Sequence, residues 1–348
     1  MHLSTSSSEH ETGRISVAAR LPESNPNLTN AVVRRATIAL LIVLAGVFGT
    51  AEFASRFLFP RFSRIQRRIV GDEREVRELG APAHNGQATV LVVGNSLLLY
   101  ALDYPAFTSE LAPDVKPVRY AIENTSYLDW YYGLKALFSE GVRPSTVVVC
   151  LNLAQTLERG VLGEYTARHL FRAQDLLAVG RDAGLDNTKT SGLFFAHWSA
   201  FYADRAHIRN YILNVSDPGY AEAMNTLARV PPNLPPDDEA VYETRLRLRT
   251  IMKLCQEYHV DFVFVVPPSL KRRDDLLARA GTLENIPVDI PVPLGSLGPI
   301  YFLDGFHLNP KGAEVFTTAL ARDLKTRFGK VNPPAEGTVG RNANPALR

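Results

Sequence analysis

A serine, an aspartate and a histidine are the residues whose types and spacing could do chemistry in this sequence. Ser96 closes the stretch Thr89-Val90-Leu91-Val92-Val93-Gly94-Asn95-Ser96. A continuous apolar run rich in β-branched residues suits a parallel strand covered on both faces. Gly94 is expected to let the backbone turn, leaving Ser96 at the carboxyl end of that strand. Open α/β sheets hold their ligands at that edge. A serine hydroxyl is a weak nucleophile until a base takes its proton. Near the other end of the chain, Asp304 precedes His307 by three residues, just ahead of a helix start at Asn309-Pro310. A histidine base needs its second ring nitrogen held by an acceptor, which fixes tautomer and orientation. An aspartate three residues earlier on a turn can supply that acceptor. Alone, the Asp-x-x-His spacing is common on surface turns. Joined to the strand-Gly-Asn-Ser junction, it reads as a nucleophile with its base.

Positioning these residues requires a sheet that brings residue 96 and residue 307 to one edge. Strands are expected at Thr89–Val93, Pro117–Ala121, Thr146–Leu151, Asp261–Val266 and Val288–Val292. Helical patterns lie between them. Asp103-Tyr104-Pro105 supplies a capping acid and an early proline. Tyr127 to Ser139 repeats at helical period, Pro235 opens a helix to about Tyr258, and a last helix runs from Pro310 to about Arg327. Strands alternating with helices give an α/β fold, a three-layer flavodoxin-like parallel sheet of about five strands. The irregularity is an insertion from about 155 to 234 without strand signal. Within it Phe194, Trp198, Phe201, Arg205, Ile208 and Ile212 recur at spacings of three and four, which predicts a core-facing helix.

Ahead of this domain, residues 1–30 are rich in Ser, Asn, Glu and Pro and are expected to be disordered. Ala36 to Ala51 is an uncharged apolar run, and Phe53, Phe57, Leu58 and Phe59 extend its character past Glu52 and Arg56. We read residues 36–59 as a transmembrane anchor in the lipid bilayer. A cleaved signal peptide is the competing reading, since Gly49-Thr50-Ala51 are small residues. Arg34 and Arg35 before the span and Arg56, Arg61, Arg64, Arg67 and Arg68 after it leave orientation open by charge counting. Residues 61–80 read as a charged connecting helix, 81–84 as a linker, 88–328 as the catalytic domain and 329–348 as a disordered tail.

Composition removes several classes. With 38 Lys and Arg against 36 Asp and Glu, the net charge of +2 offers no basic patch for nucleic acid. The eight histidines show no metal-ligand spacing, so no metal or cofactor is expected. Cys150 and Cys255, the only cysteines, lie in apolar patterns and read as buried thiols. A single glycine after the first strand excludes a Gly-rich phosphate loop.

Over residues 88 to 328 the chain resembles the SGNH (GDSL-type) hydrolase superfamily. Gly94-Asn95-Ser96-Leu97 matches the Gly-Asp-Ser-Leu block that carries the nucleophile, with Asn95 in place of aspartate. Asp304 and His307 match the late Asp-x-x-His block. The resemblance implies an oxyanion hole from the Ser96 backbone N–H and the Asn152 side chain. It calls for a glycine N–H in the loop after the second strand, where this chain has Glu123-Asn124-Thr125-Ser126; Asn124, Thr125 and Ser126 are the candidate contacts there. The family's Gly and Asp positions in the third block are Cys150 and Leu153. The resemblance further implies an ester hydrolase or O-acyltransferase working through an acyl-enzyme. The anchor-plus-domain layout is similar to the branch that modifies cell-envelope and exopolysaccharide glycans. That branch implies acetyl esters of glycans as substrate, partners from polysaccharide biosynthesis, and an extracytoplasmic domain on a bacterial inner membrane. The alternative reading is an inactive accessory protein of the same fold in polysaccharide assembly.

Overall fold

The structure is a computed structural model and describes residues 26–80, 87–161, 163–217, 219–220, 234–270 and 272–331. The expected disorder at the N-terminus and the linker at 81–84 therefore fall mainly outside the described residues, as does most of the tail. Where they overlap, helix replaces the expectation: α1 (Pro26–Phe53) begins before residue 30. The chain divides into two units, one ending at Ala51 and one beginning at Glu52. The stretch Asn30–Phe62 is long and apolar enough to cross a membrane by length and composition. After Phe53 the helix continues through a π-turn, Ala54–Leu58, and a last α-turn, Phe59–Phe62.

In the second unit, the charged connecting segment forms the helix α2 (Arg64–Arg77), one side of which packs on the domain. Gln66, Ile69, Asp72 and Val76 recur at three- and four-residue spacing and are buried. Ile69 and Val76 belong to the same apolar cluster as the strand residues Leu91 and Val93. Apart from buried Asp72, which lies within 3.3 Å of Arg119, most charged residues of α2 lie off this face.

Five strands form one parallel sheet in the order β2-β1-β3-β4-β5: β1 (Ala88–Gly94), β2 (Val115–Ala121), β3 (Thr146–Cys150), β4 (Asp261–Val265) and β5 (Val288–Asp289). This is the flavodoxin-like order, whose topological switch lies between β1 and β3. The fifth strand is shorter than expected because Pro291 and Pro293 interrupt the run beyond it, and proline cannot donate to a ladder. Side chains of β1 alternate between the faces. Leu91 and Val93 join one buried cluster, and Val90 and Val92 join another. The first face is covered by α2, by α5 (Tyr127–Ser139), by α10 (Asp237–Glu257) and by α11 (Asp275–Glu284), the second by α3 (Ser96–Ala101), α4 (Tyr104–Leu111) and α12 (Pro310–Val331). Three layers result, as expected. Cys150 and Cys255 are both free and buried.

Among its described residues the insertion holds helices and no strand. It includes α6 (Leu153–Leu157), α7 (Leu176–Asp182), α8 (Asn187–Trp198) and α9 (Ala200–Ser216). The aromatic stripe does not form one core-facing helix. Ser199 is extended (φ −109°, ψ 118°) and its hydroxyl caps α9 through Tyr202 N–H, so the stripe is split between two axes. Phe194 packs against the core, whereas Trp198 is 67% and Ile212 55% exposed.

Candidate active site

Sheet register sets the site. Gly94 is paired with Ala121 on one side and with Cys150 on the other. The residues just past these three positions therefore emerge side by side at the carboxyl edge: Asn95-Ser96, Ile122 to Ser126, and Leu151-Asn152. Gly94 is needed for closeness rather than for a left-handed turn. A Cβ there would stand 2.7 Å from the Cys150 carbonyl oxygen.

Asn95 is extended (φ −118°, ψ −152°) and caps α3, its Oδ1 accepting from Leu97 N–H at 3.0 Å. That places Ser96 in the first turn of a helix. The amide end of Asn95 donates to the Thr125 carbonyl at 2.8 Å, and the residue is 1% exposed. An ionised aspartate could make the cap but not this second bond. Asn95 thus ties the serine turn to the loop after β2.

From the other end of the chain, residues 302 to 308 fold into a tight turn. Phe302 and Leu308 form an antiparallel bridge, and Leu303 N–H donates to the His307 carbonyl at 2.8 Å. Gly305 takes a positive φ of 91°, open to glycine and strained for other residues. Within the turn, Asp304 Oδ1 accepts from the backbone N–H of His307 at 2.8 Å, and Oδ2 lies 2.7 Å from His307 Nδ1. His307 Nε2 lies 3.0 Å from Ser96 Oγ. With Nδ1–H donated to the carboxylate, Nε2 is the lone-pair nitrogen facing the serine. Burial works against the Asp304 carboxylate, but the His307 and Phe306 N–H groups and the His307 ring together hold its pKa below the usual aspartate value. Tyr100, one turn after Ser96 on α3, packs on the imidazole with ring centroids 4.6 Å apart. Sequence reasoning missed Tyr100, although its i+4 spacing from Ser96 on a helix was available.

The remaining expected site residues divide. Asn152 is half-buried and caps α6: Oδ1 accepts from Gln155 N–H at 2.9 Å, while Gln155 Oε1 accepts from Asn152 N–H at 3.2 Å. Because the oxygen end serves the helix, the amide nitrogen is the end left to donate elsewhere. Buried Asp274 holds this corner, accepting from Leu153 N–H at 2.9 Å and from Ser269 Oγ at 2.7 Å. Nothing in the spacing of Asp274 pointed to that role.

In the loop after β2, the Thr125 side chain and Ser126 are engaged within the loop and the helix that follows it. The Thr125 hydroxyl donates to Ile122 O at 2.7 Å and accepts from Trp130 Nε1 at 2.9 Å. Ser126 N–H donates to Asp129 Oδ2 at 2.9 Å in a capping box that starts α5. Its N–H and side chain are therefore committed. Asn124 is exposed and left-handed (φ 55°). Where the resemblance calls for glycine, the chain has one of the few other residues that enter this conformation readily.

His197 Nδ1 is 2.9 Å from Ala167 O, and His169 lies 3.5 Å from Glu73. In the basic cluster at 271–273, Lys271 lies outside the described residues and Arg273 donates to Asp237 at 2.5 Å.

No family model and no curated protein matches the chain. Among solved structures it is similar to TesA, at 12% identity over 68% of this chain and 98% of that one, with a TM-score of 0.33. It is also similar to a Streptococcus pneumonia protein described as a platelet activating factor, at 10% identity over 75% and 94%, with a TM-score of 0.35. Likeness at this level carries no chemistry, which is read here from the side chains.

Proposed function

We propose that the chain is a serine-dependent ester hydrolase or O-acyltransferase with Ser96, His307 and Asp304 as its triad. The observation that carries this reading is the contact of His307 Nε2 with Ser96 Oγ at 3.0 Å while Nδ1 engages Asp304 at 2.7 Å. These groups come from opposite ends of the domain, and each ring nitrogen has the partner that base catalysis requires.

In the proposed reaction Ser96 Oγ attacks the acyl carbonyl and its proton passes to His307 Nε2. Asp304 holds the imidazolium in place. The oxyanion is met by the Ser96 backbone N–H and the Asn152 amide, with the exposed Asn124 loop as the further contact. Each such donor is worth about 3 kcal/mol of barrier. Collapse breaks the ester bond, and the departing alcohol takes the proton from His307. Water then attacks the acyl-Ser96 carbonyl in hydrolysis, or a sugar hydroxyl does so in transfer, with His307 again as base. Proton and acyl group are exchanged without a cofactor.

Acetyl esters of cell-envelope glycans are the substrates we favour, acted on by an extracytoplasmic domain on a single-pass anchor alongside polysaccharide-biosynthesis partners. The support is the membrane-length helix Asn30–Phe62 ahead of the domain. A reporter fused after Arg348 that faces the cytoplasm would remove this part of the proposal. The catalytic part is tested by a fluorophosphonate. Labelling that disappears in Ser96→Ala is the expected result, and Ser96-independent or absent labelling favours the inactive accessory reading. Incubating an acetyl-ester donor with oligosaccharides then separates acetylated sugar from free acetate.

A further inference from the structure

Beside the proposed triad, the loop after β2 and the insertion line a cavity of about 850 Å³. Ligand sites commonly measure roughly 300–1,000 Å³. Its link to Ser96 runs through two neighbouring residues. Asn124 lines the cavity, and Thr125, the next residue, accepts from Asn95 Nδ2 at 2.8 Å, one position before the serine. Arg68 pins the base of this loop, donating to the Ala121 carbonyl and, at 2.6 Å, to Glu123 Oε2. The segment at 160–166 supplies a second wall and is bonded to the same loop, the Ser126 hydroxyl donating to the Gly160 carbonyl at 3.1 Å.

A third wall comes from α9, where Ala203, Ala206 and Asn210 recur at three- and four-residue spacing and share one side of the helix. Asn210 Oδ1 accepts from the Tyr220 hydroxyl at 2.9 Å, so its amide nitrogen is the end left to donate. Val161, Leu185 and Leu193 give the apolar part of the lining, as in most ligand sites, and the polar groups set what is recognised.

The charged side chains of the walls are Glu123, Glu164, Lys189, Arg205 and Arg209. Both acids are engaged, Glu123 by Arg68 and Glu164 by Arg205. Arg205 also donates to the Tyr202 carbonyl at 2.6 Å and lies over the Tyr202 ring, 3.6 Å from its centroid, so it is committed within the insertion. Lys189 of α8 and Arg209 of α9 are exposed, and neither side chain has an ion pair or hydrogen bond among the described residues. Two cations in one cavity are thus left for a ligand. With the amides of Asn124 and Asn210 they present donors, which match hydroxyls and an anion rather than a hydrocarbon chain.

We propose that this cavity is the subsite for the sugar half of the ester, and that Lys189 and Arg209 select a sugar carrying an anionic group, carboxylate or phosphate. The inference rests on the ester reading of Ser96 and narrows its substrate to acidic glycans. Because both cations stand away from the reacting atoms, they act on binding rather than on the chemical step.

The full chain is assayed on three acetylated probes of equal length: glucuronic acid oligosaccharides, gluco-oligosaccharides, and gluco-oligosaccharides phosphorylated at C6. The expected result is a KM about tenfold lower for an acidic probe than for the neutral one, with kcat alike and the gap closing as salt rises. The preferred acid identifies the anionic group. Lys189→Gln with Arg209→Gln, both at exposed positions, should raise KM for that probe about tenfold. The neutral probe, 4-nitrophenyl acetate and fluorophosphonate labelling of Ser96 should be unchanged in the same variant. Lys189→Arg with Arg209→Lys, which keeps both charges, should retain the preference. A native chain that treats the three probes alike, or a double variant that loses neutral and acidic probes equally, overturns the inference, while Ser96 labelling leaves the catalytic reading standing. If labelling fails instead, calorimetry with the unacetylated acidic oligosaccharides decides the cavity by itself. Binding that the two glutamine substitutions abolish keeps the anionic-sugar site without the catalysis, and no binding removes it.

Discussion

Replacing Asn95 with the aspartate of the related block should harm this protein, and in a pH-dependent way. In the native site Asn95 is 1% exposed, accepts from Leu97 N–H at 3.0 Å and donates to Thr125 O at 2.8 Å. Asn95→Asp keeps the acceptor and loses the donor. Thr125 O is left facing a carboxylate instead of an N–H group. Removing one partner of a buried hydrogen bond costs about 1–3 kcal/mol. Burying an unpaired carboxylate raises its pKa, at about 1.4 kcal/mol for each unit of rise. Together these give a loss of roughly 2–4 kcal/mol near pH 8. The folded pKa of the new acid stands above its unfolded value of about 3.9, so its protonated form favours the native state. Below the unfolded pKa the acid O–H can donate to Thr125 O and the loss largely vanishes; it develops as pH rises through the folded pKa. Asn95→Ala, which loses both cap and donor, should show a loss of similar size without that pH dependence. Urea midpoints for the three proteins near pH 4 and pH 8 measure this. The rate of fluorophosphonate labelling shows whether the serine turn moves with the loop. An Asn95→Asp protein as stable as the native chain near pH 8, or one whose loss is as flat in pH as that of Asn95→Ala, would refute the argument.

Three further outcomes follow from the same geometry. Asp304→Asn can still accept from the backbone of His307 but favours the wrong imidazole tautomer, so esterase activity should fall roughly 10²–10⁴-fold with stability little changed, as read by kcat and thermal unfolding together. Gly94→Ala puts a methyl group 2.7 Å from the Cys150 carbonyl, a backbone atom that cannot swing aside, and should lose about 1–3 kcal/mol in urea unfolding. Buried Asp129 has its pKa pushed up to about 6 by desolvation, against the lowering effect of the Ser126 hydrogen bonds. Its folded pKa exceeds the unfolded one, so its contribution to stability is present below about pH 4 and is lost as pH rises through about 6. Asp129→Asn should remove on the order of 3 kcal/mol of that pH-dependent decline, visible as a flatter stability profile between those limits.

The sequence by itself determined the local elements and picked out the groups of the proposed triad. The apolar run of β1, the capping signals at Asp103 and Pro310, and the helical period of Tyr127–Ser139 are local properties, and each element formed where its pattern lay. Ser96 and the Asp304–His307 pair were legible because base catalysis restricts residue type and because three residues on a turn is enough for a carboxylate to reach an imidazole. What only the tertiary structure decided was everything set by contact between distant segments. Gly94 read as a turn residue; its requirement came instead from the approach of β3, which no local pattern encodes. The segment at 61–80 read as a charged connecting helix, and its four buried positions among many charges register only once a sheet face is there to receive them. Asn124, Thr125 and Ser126 read alike as candidate contacts; Asp129 engages the Ser126 N–H, and Trp130 Nε1 donates to the Thr125 hydroxyl. The aromatic stripe of the insertion kept its spacing across Ser199, while the break in the backbone sent its two halves to different surroundings. Periodicity reports which side chains share a face only for as long as the axis runs straight, and where the axis ends is settled by the partners that cap it.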